Sequence, residues 1–128
     1  MPPTGGETGD RHAEIIFQLR GWSNKAGGNF FDSSTGFQLP NGANRSPDAA
    51  WIPLERWEAF KPEQRKGFLP LAPDFVVELR SDTDSLKSLQ TKMQEYISNG
   101  VRLDWLLNPQ HGQVEIYSSY QDPRFCHE

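Results

Sequence analysis

Cysteine is almost absent from this chain, which contains a single cysteine, Cys126, among 128 residues. One cysteine excludes an intrachain disulfide and is typical of proteins kept in a reducing compartment. The first residues show no basic stretch followed by a long apolar run, so no signal peptide is predicted. No apolar segment approaches the length that spans a bilayer. We therefore expect a soluble, cytoplasmic protein.

Positive charge is also scarce. Thirteen lysines and arginines stand against 17 acidic residues, which leaves a net charge of -4. This balance disfavours a protein that binds nucleic acid through a broad basic surface. It leaves open a nucleic-acid enzyme, because a cluster of metal-binding carboxylates also makes the total charge negative.

Several common site patterns are missing as well. His12, His111 and His127 are scattered and have no zinc-like spacing. No serine has the sequence context of a nucleophile elbow, and no glycine run matches a phosphate-binding loop. Carboxylates therefore remain the chief candidates for chemistry.

The stretch from Pro73 to Val101 is the most informative part of the chain. It predicts a strand from Asp74 to Arg80, a polar turn, and an amphipathic helix from Ser85 to about Ser98. Alternation along the strand puts one set of residues toward the core, namely Phe75, Val77 and Leu79. The opposite face then carries Asp74, Val76, Glu78 and Arg80.

The remaining pattern predicts an α/β fold with one mixed sheet flanked by helices. Residues 1–10 are rich in proline and glycine and are expected to be disordered, residues 11–118 to form a single domain, and residues 119–128 an irregular tail. The other expected elements are a helix from about Arg11 to Gly21, a β-hairpin of Asn29–Phe31 and Gly36–Leu39, a strand Ala49–Ile52, a short helix Leu54–Phe60, and strands Val101–Leu107 and Gln113–Tyr117.

Two carboxylates and a cation can make a metal-dependent phosphodiesterase site. Asp48 precedes a predicted strand and Glu78 lies near the end of another, with Arg80 or a lysine of the next helix as the cation. A turn-capping role for Asp48 and a salt bridge between Glu78 and Arg80 are the alternatives. Asp74 is excluded as a partner of Glu78, because four strand residues separate them by about 13 Å.

Two segments, GFQLPNGANRSPDAAWI and PDFVVELRSDTDSLKSLQTKMQEYISNGVRLDWLLNP, resemble the Uma-two family of restriction-endonuclease-like proteins in the PD-(D/E)XK nuclease superfamily. The resemblance implies a restriction-endonuclease-like core, a Mg²⁺- or Mn²⁺-dependent site and DNA as the substrate. It places the metal-binding acids on Asp48 in SPD and Glu78 in VVELRS, and the helix lysine on Lys92 in KMQEY. Its members have more chain at both ends, so we expect a truncated copy.

The sequence departs from the family at several positions. Arg80 stands where the resemblance implies a lysine, so we assign the basic role to Lys92. A guanidinium stays protonated, whereas a lysine can hold or relay a proton. On the helix, Lys87 and Lys92 fall on opposite flanks of the apolar stripe, and we expect Lys92 to face Glu78. Asp104 and Asn108 replace an implied Gly and Asp, which concerns local packing more than catalysis.

We therefore predict a metal-dependent DNA endonuclease that uses Asp48, Glu78, Lys92 and Arg80. A homodimer would provide two active sites for cutting both strands. The alternative is a catalytically silent, truncated remnant that binds nucleic acid or a protein partner.

Overall fold

The computed structural model describes residues 6–119. The expectations for residues 1–5 and 120–128 lie outside the described residues. Three α-helices are present in the described chain: α1 (Gly6–Ala26), α2 (Leu54–Glu58) and α3 (Leu86–Ser98). The strands are β1 (Asn29–Asp32), β2 (Phe37–Gln38), β3 (Asn44–Arg45), β4 (Ala49–Ile52), β5 (Phe75–Leu79), β6 (Leu103–Asn108) and β7 (Gln113–Ser118). No helix among residues 6–119 is long and apolar enough to cross a membrane.

Five strands form one mixed sheet in the order β1-β4-β5-β6-β7. Only β5 and β6 are parallel in this sheet, because α3 lies between them in the chain and carries it back to the starting edge. The other neighbouring strands are antiparallel. The predicted α/β fold with a mixed sheet flanked by helices is confirmed.

Helix α1 differs from the prediction at both of its ends. It begins at Gly6 instead of Arg11, so residues 6–10, which were expected to be disordered, are helical. It also continues through Gly21, because one glycine costs a helix interior only about 1 kcal/mol. The helix ends before Gly27 and Gly28, whose φ angles are 82° and 84°. Two consecutive left-handed residues stop a helix where a single glycine does not.

The predicted hairpin of Asn29–Phe31 with Gly36–Leu39 is wrong. Strand β1 pairs with β4 instead, with Phe30 opposite Trp51, and β2 pairs with β3. The expected turn at Asp32 is present, since Thr35 N–H donates to the Asp32 carbonyl at 3.2 Å. The turn does not close a hairpin. Strand β1 pairs with β4 over four positions, whereas β2, which follows the turn, pairs with β3 over two positions.

Both faces of β5 are buried, which corrects the expected single core face. Helix α3 packs over Val76 and Glu78, where the larger hydrophobic core lies. Val77 belongs to a smaller core that also contains Phe30 and Ala49, and residues of α1 pack against it. A strand in the middle of a sheet with helices on both sides has no solvent face. Glu78 is therefore a buried carboxylate, with 4% of its surface exposed.

Candidate active site between strands β4 and β5 and helix α3

Asp48, which directly precedes β4, lies opposite Glu78 of the neighbouring strand β5. The antiparallel register pairs Ala49 with Val77, and its continuation by one position places Asp48 across from Glu78. Directly opposite residues share a face of the sheet, with Cβ atoms about 4.5–5.5 Å apart. Both acids are buried, with 8% of Asp48 and 4% of Glu78 exposed.

A main-chain hydrogen bond attaches the Asp48 side chain to β5. The Leu79 N–H donates to Asp48 Oδ2 at 2.7 Å, which joins the carboxylate to the residue directly after Glu78. Two interactions therefore position Asp48 beside Glu78: the pairing of β4 with β5 and the hydrogen bond from the Leu79 N–H. The capping role considered for Asp48 is replaced by this contact between two strands.

Two side chains of α3 donate to the same oxygen of Glu78. The Tyr96 hydroxyl lies 2.8 Å from Glu78 Oε2, and the Lys92 ammonium lies 3.4 Å from it. Lys92 and Tyr96 are four residues apart, so they occupy one flank of the helix. The Lys92 side chain is 34% exposed, whereas Asp48, Glu78 and Tyr96 are buried. Lys92 is therefore the solvent-accessible member of this group.

The protonation of Glu78 is strongly perturbed. Burial raises the pKa of Glu78 to about 7, with the Asp48 charge adding to the rise and the Lys92 charge opposing it. Burial next to Glu78 also raises the pKa of Tyr96, so that its hydroxyl stays a neutral donor. A carboxyl group with a pKa near neutrality, next to a second acid, is a common feature of functional sites.

The other candidate cations lie elsewhere. Arg80 Nε donates to the Asp84 carbonyl at 3.3 Å, in the turn that precedes α3. Lys87 is exposed and lines an open cleft between α3 and β7. The structure thus brings Asp48, Glu78 and Lys92 together, and it places Arg80 against the turn.

Asp74 is occupied as an entry residue of β5. Its carboxylate forms an ion pair with Arg56 of α2, and its carbonyl accepts from the backbone N–H groups of Arg102 and Leu103 at 3.2 Å. These contacts agree with its exclusion as a partner of Glu78.

Sequence reasoning missed a third acid on the same face of the sheet. Asp104 of β6 is fully buried at 0% exposure, and neither carboxylate oxygen has a hydrogen-bond partner in the described part of the chain. Burial, together with the charge of Glu78, raises the pKa of Asp104 to about 8. Alternation in the segment LDWLLN, which puts Asp104 in line with Leu106, was the available signal.

Sequence reasoning did not select Tyr96 as a site residue. Its spacing of four residues from Lys92 was the signal that both side chains share one flank. The hydroxyl contact with Glu78 could not be inferred from that spacing alone, because it requires the position of α3 over β5.

The donor set of the site fits a hard divalent cation. Mg²⁺ prefers carboxylate oxygens and keeps several of its waters, so two protein carboxylates can hold it. Asp48 and Glu78 are two such groups, buried on one face and opposite each other. Among residues 6–119, no group of three or more His, Cys, Asp or Glu side chains is arranged to hold a metal. The fit therefore rests on this pair.

Comparisons with known proteins agree with this architecture. A family model described as "Uma2: Putative restriction endonuclease" matches residues 1–126. A solved structure, described as a putative nuclease belonging to DUF820 from Anabaena variabilis ATCC 29413, is similar with a TM-score of 0.75 and 17% identity, covering 94% of this chain and 67% of that chain. At that identity the likeness shows the fold alone. No curated protein matches the chain.

Proposed function

Since the chain belongs to the Uma2 family, we propose that it is a metal-dependent endonuclease that hydrolyses phosphodiester bonds in DNA. The observation that carries the proposal is the buried pair of Asp48 and Glu78, placed opposite each other next to the ammonium of Lys92. Two buried acids side by side are unfavourable unless positive charge compensates them. A site for a cation and a phosphate provides that compensation.

Asp48 and Glu78 are the residues that would hold Mg²⁺ or Mn²⁺. When bound, such a cation activates a water molecule and neutralises charge that develops on the phosphate. The Leu79 N–H fixes one oxygen of Asp48, and α3 fixes one oxygen of Glu78. These contacts orient both carboxylates before any substrate arrives, which lowers the entropy lost on binding.

Lys92 has the position of a group that acts on the substrate. Its ammonium lies 3.4 Å from Glu78, and its side chain is partly exposed. Lys92 can therefore contact a phosphate oxygen while it stays next to the carboxylates, where its positive charge stabilises the transition state. Arg80 stays protonated and lies against the turn before α3, so in this proposal it binds a phosphate outside the group of Asp48, Glu78 and Lys92 and does not accept a proton.

The acidic chain is expected to bind DNA through a small number of phosphate contacts. Its net charge of -4 opposes non-specific attraction to DNA, and binding through few phosphates gives a shallow dependence on salt. The proposal also places the protein in the cytoplasm, because a chain with a single cysteine is typical of a reducing compartment. A homodimer would allow both strands to be cut.

Cleavage of supercoiled plasmid by the purified protein tests the proposal. We expect nicked or linear DNA with Mg²⁺ and none with EDTA. Asp48→Asn and Glu78→Gln should each abolish the cleavage, because either change removes a carboxylate that holds the cation. Asp74→Asn is the matched control, since Asp74 directly precedes the strand that carries Glu78 but pairs with Arg56. A folded wild-type protein without Mg²⁺-dependent cleavage would favour the silent binding module.

A further inference from the structure

We propose that Tyr96 is a positioning residue, whose buried hydroxyl holds one oxygen of Glu78 so that the other oxygen is presented toward Asp48. The inference rests on the proposed function, because it concerns how the site receives its cation. It gives Tyr96 a task beyond filling the core between α3 and the sheet.

The contact itself is short and enclosed. The Tyr96 hydroxyl lies 2.8 Å from Glu78 Oε2, and the tyrosine is 1% exposed. Both hydrogen bonds from described residues to Glu78 converge on Oε2. Neither of these two hydrogen bonds uses Oε1, so Oε1 is the oxygen that Glu78 can offer to a ligand shared with Asp48.

The hydroxyl is well fixed in space. Helix α3 is capped by the Ser85 side chain, which accepts from the Ser88 N–H at 3.3 Å, and it is anchored to the core by Leu89 and Met93. A tyrosine ring has few rotatable bonds, so its hydroxyl follows the helix closely. A buried hydroxyl must also find a hydrogen-bond partner, and this one finds the carboxylate of Glu78.

Tyr96 and Lys92 differ in their response to a divalent cation. The ammonium of Lys92 is repelled by a second positive charge and has the longer contact with Oε2, at 3.4 Å. The hydroxyl of Tyr96 is neutral, so its hydrogen bond to Glu78 persists. We expect Tyr96 to keep the carboxylate in place while Lys92 turns toward the phosphate.

The chain contains a matched control for this interaction. The Tyr117 hydroxyl donates to Glu115 Oε1 at 2.6 Å, and Tyr117 is also buried, at 7% exposure. This second pair has the same chemistry on β7, away from Asp48 and Glu78. Removal of either hydroxyl leaves a buried carboxylate with one donor fewer, so a purely structural role would affect both variants alike.

The first test observes the wild-type protein by ¹⁹F NMR after incorporation of 3-fluorotyrosine. The chain has three tyrosines. Tyr117→Phe and Tyr120→Phe each remove one resonance, and the resonance that remains in both variants belongs to Tyr96. On titration with Mg²⁺, the Tyr96 resonance should shift with saturation, whereas that of Tyr117 should stay in place. A Tyr96 resonance that does not respond to bound Mg²⁺ would overturn the inference, and this result needs no variant of Tyr96 to fold.

The second test measures Mn²⁺ affinity by electron paramagnetic resonance. Tyr96→Phe should bind Mn²⁺ about 10- to 100-fold more weakly, the usual effect of losing a group that orients a metal ligand. Tyr117→Phe should bind like the wild type. If Tyr96→Phe binds as tightly as the wild type, the positioning role is wrong and the proposed function stands. If the wild type binds neither Mg²⁺ nor Mn²⁺, the proposed function fails first.

Discussion

Replacement of Asp104 by asparagine should stabilise the protein near neutral pH and have little effect in acid. The Asp104 carboxyl group is fully buried, and its oxygens have no hydrogen-bond partner among residues 6–119. Asparagine has nearly the same shape and carries no charge, so the change isolates the cost of ionisation. Burial, aided by the charge of Glu78, raises the pKa of Asp104 to about 8.

The magnitude follows from the pKa values of Asp104 in the two states. In the unfolded chain an aspartate has a pKa of about 3.9, and one pKa unit corresponds to about 1.36 kcal/mol. Between about pH 4 and pH 8 the native state binds a proton that the unfolded state has released, so the free energy of unfolding falls as pH rises. At pH 7 the loss is on the order of 4 kcal/mol, and near pH 4 it is under about 1 kcal/mol.

Urea unfolding at both pH values, followed by tryptophan fluorescence, provides the assay. The stability gained by Asp104→Asn should be large at pH 7 and nearly absent at pH 4. Asn108→Asp is the reverse control, because Asn108 is buried at 1% exposure on the same strand face. That variant should lose stability at pH 7 and recover it at pH 4. A gain for Asp104→Asn that is equal at both pH values would refute an ionisation cost.

Three further predictions concern the site and its support. Mg²⁺ affinity measured by calorimetry should fall below neutral pH, because the raised pKa of Glu78, about 7, means that a proton must leave before the cation binds; equal affinity on both sides of neutrality would contradict this. Lys92→Ala should abolish plasmid cleavage with little loss of thermal stability, whereas Lys87→Ala should leave both cleavage and stability unchanged, since of these two lysines Lys92 is the one that contacts Glu78; the opposite pattern would reverse the assignment. Glu95→Gln should cost about 1 kcal/mol in urea unfolding, because Glu95 holds Arg45 through two charged contacts, of 2.6 and 3.0 Å; unchanged stability would show that the pair contributes nothing.

The segment from β5 to β6 could be predicted well because its signals are local. Ser85, which was expected to be the first residue of the helix, is the N-cap of α3, so the predicted start differs by one position. Gly100, with a φ of 104°, follows the helix, and a glycine is the usual residue at this position. The apolar spacing of α3 also placed Lys92 and Lys87 on different flanks, although the choice of Lys92 relied on the family resemblance.

Strand pairing and burial could not be predicted from local signals. The turn at Asp32 was recognised, but the partner of β1 lies about twenty positions later in the chain, on β4. Whether β1 pairs with β2 or with β4 depends on how many paired positions each strand can offer. That comparison involves residues far apart in the chain. The burial of Glu78 likewise follows from the packing of α3 over β5, and alternation alone had placed that residue on the polar face.

The sequence by itself determined which residue types could do chemistry, the strand that carries Glu78 and the helix that carries Lys92 and Tyr96. Periodicity and capping act over a few residues, so they can be read directly from the chain. Only the tertiary structure decided that Asp48 lies opposite Glu78, that Arg80 turns to the Asp84 carbonyl, and that Asp104 is buried without a hydrogen-bond partner among the described residues. Those outcomes depend on strand register and on the shielding of charges from water, which arise when distant segments pack together.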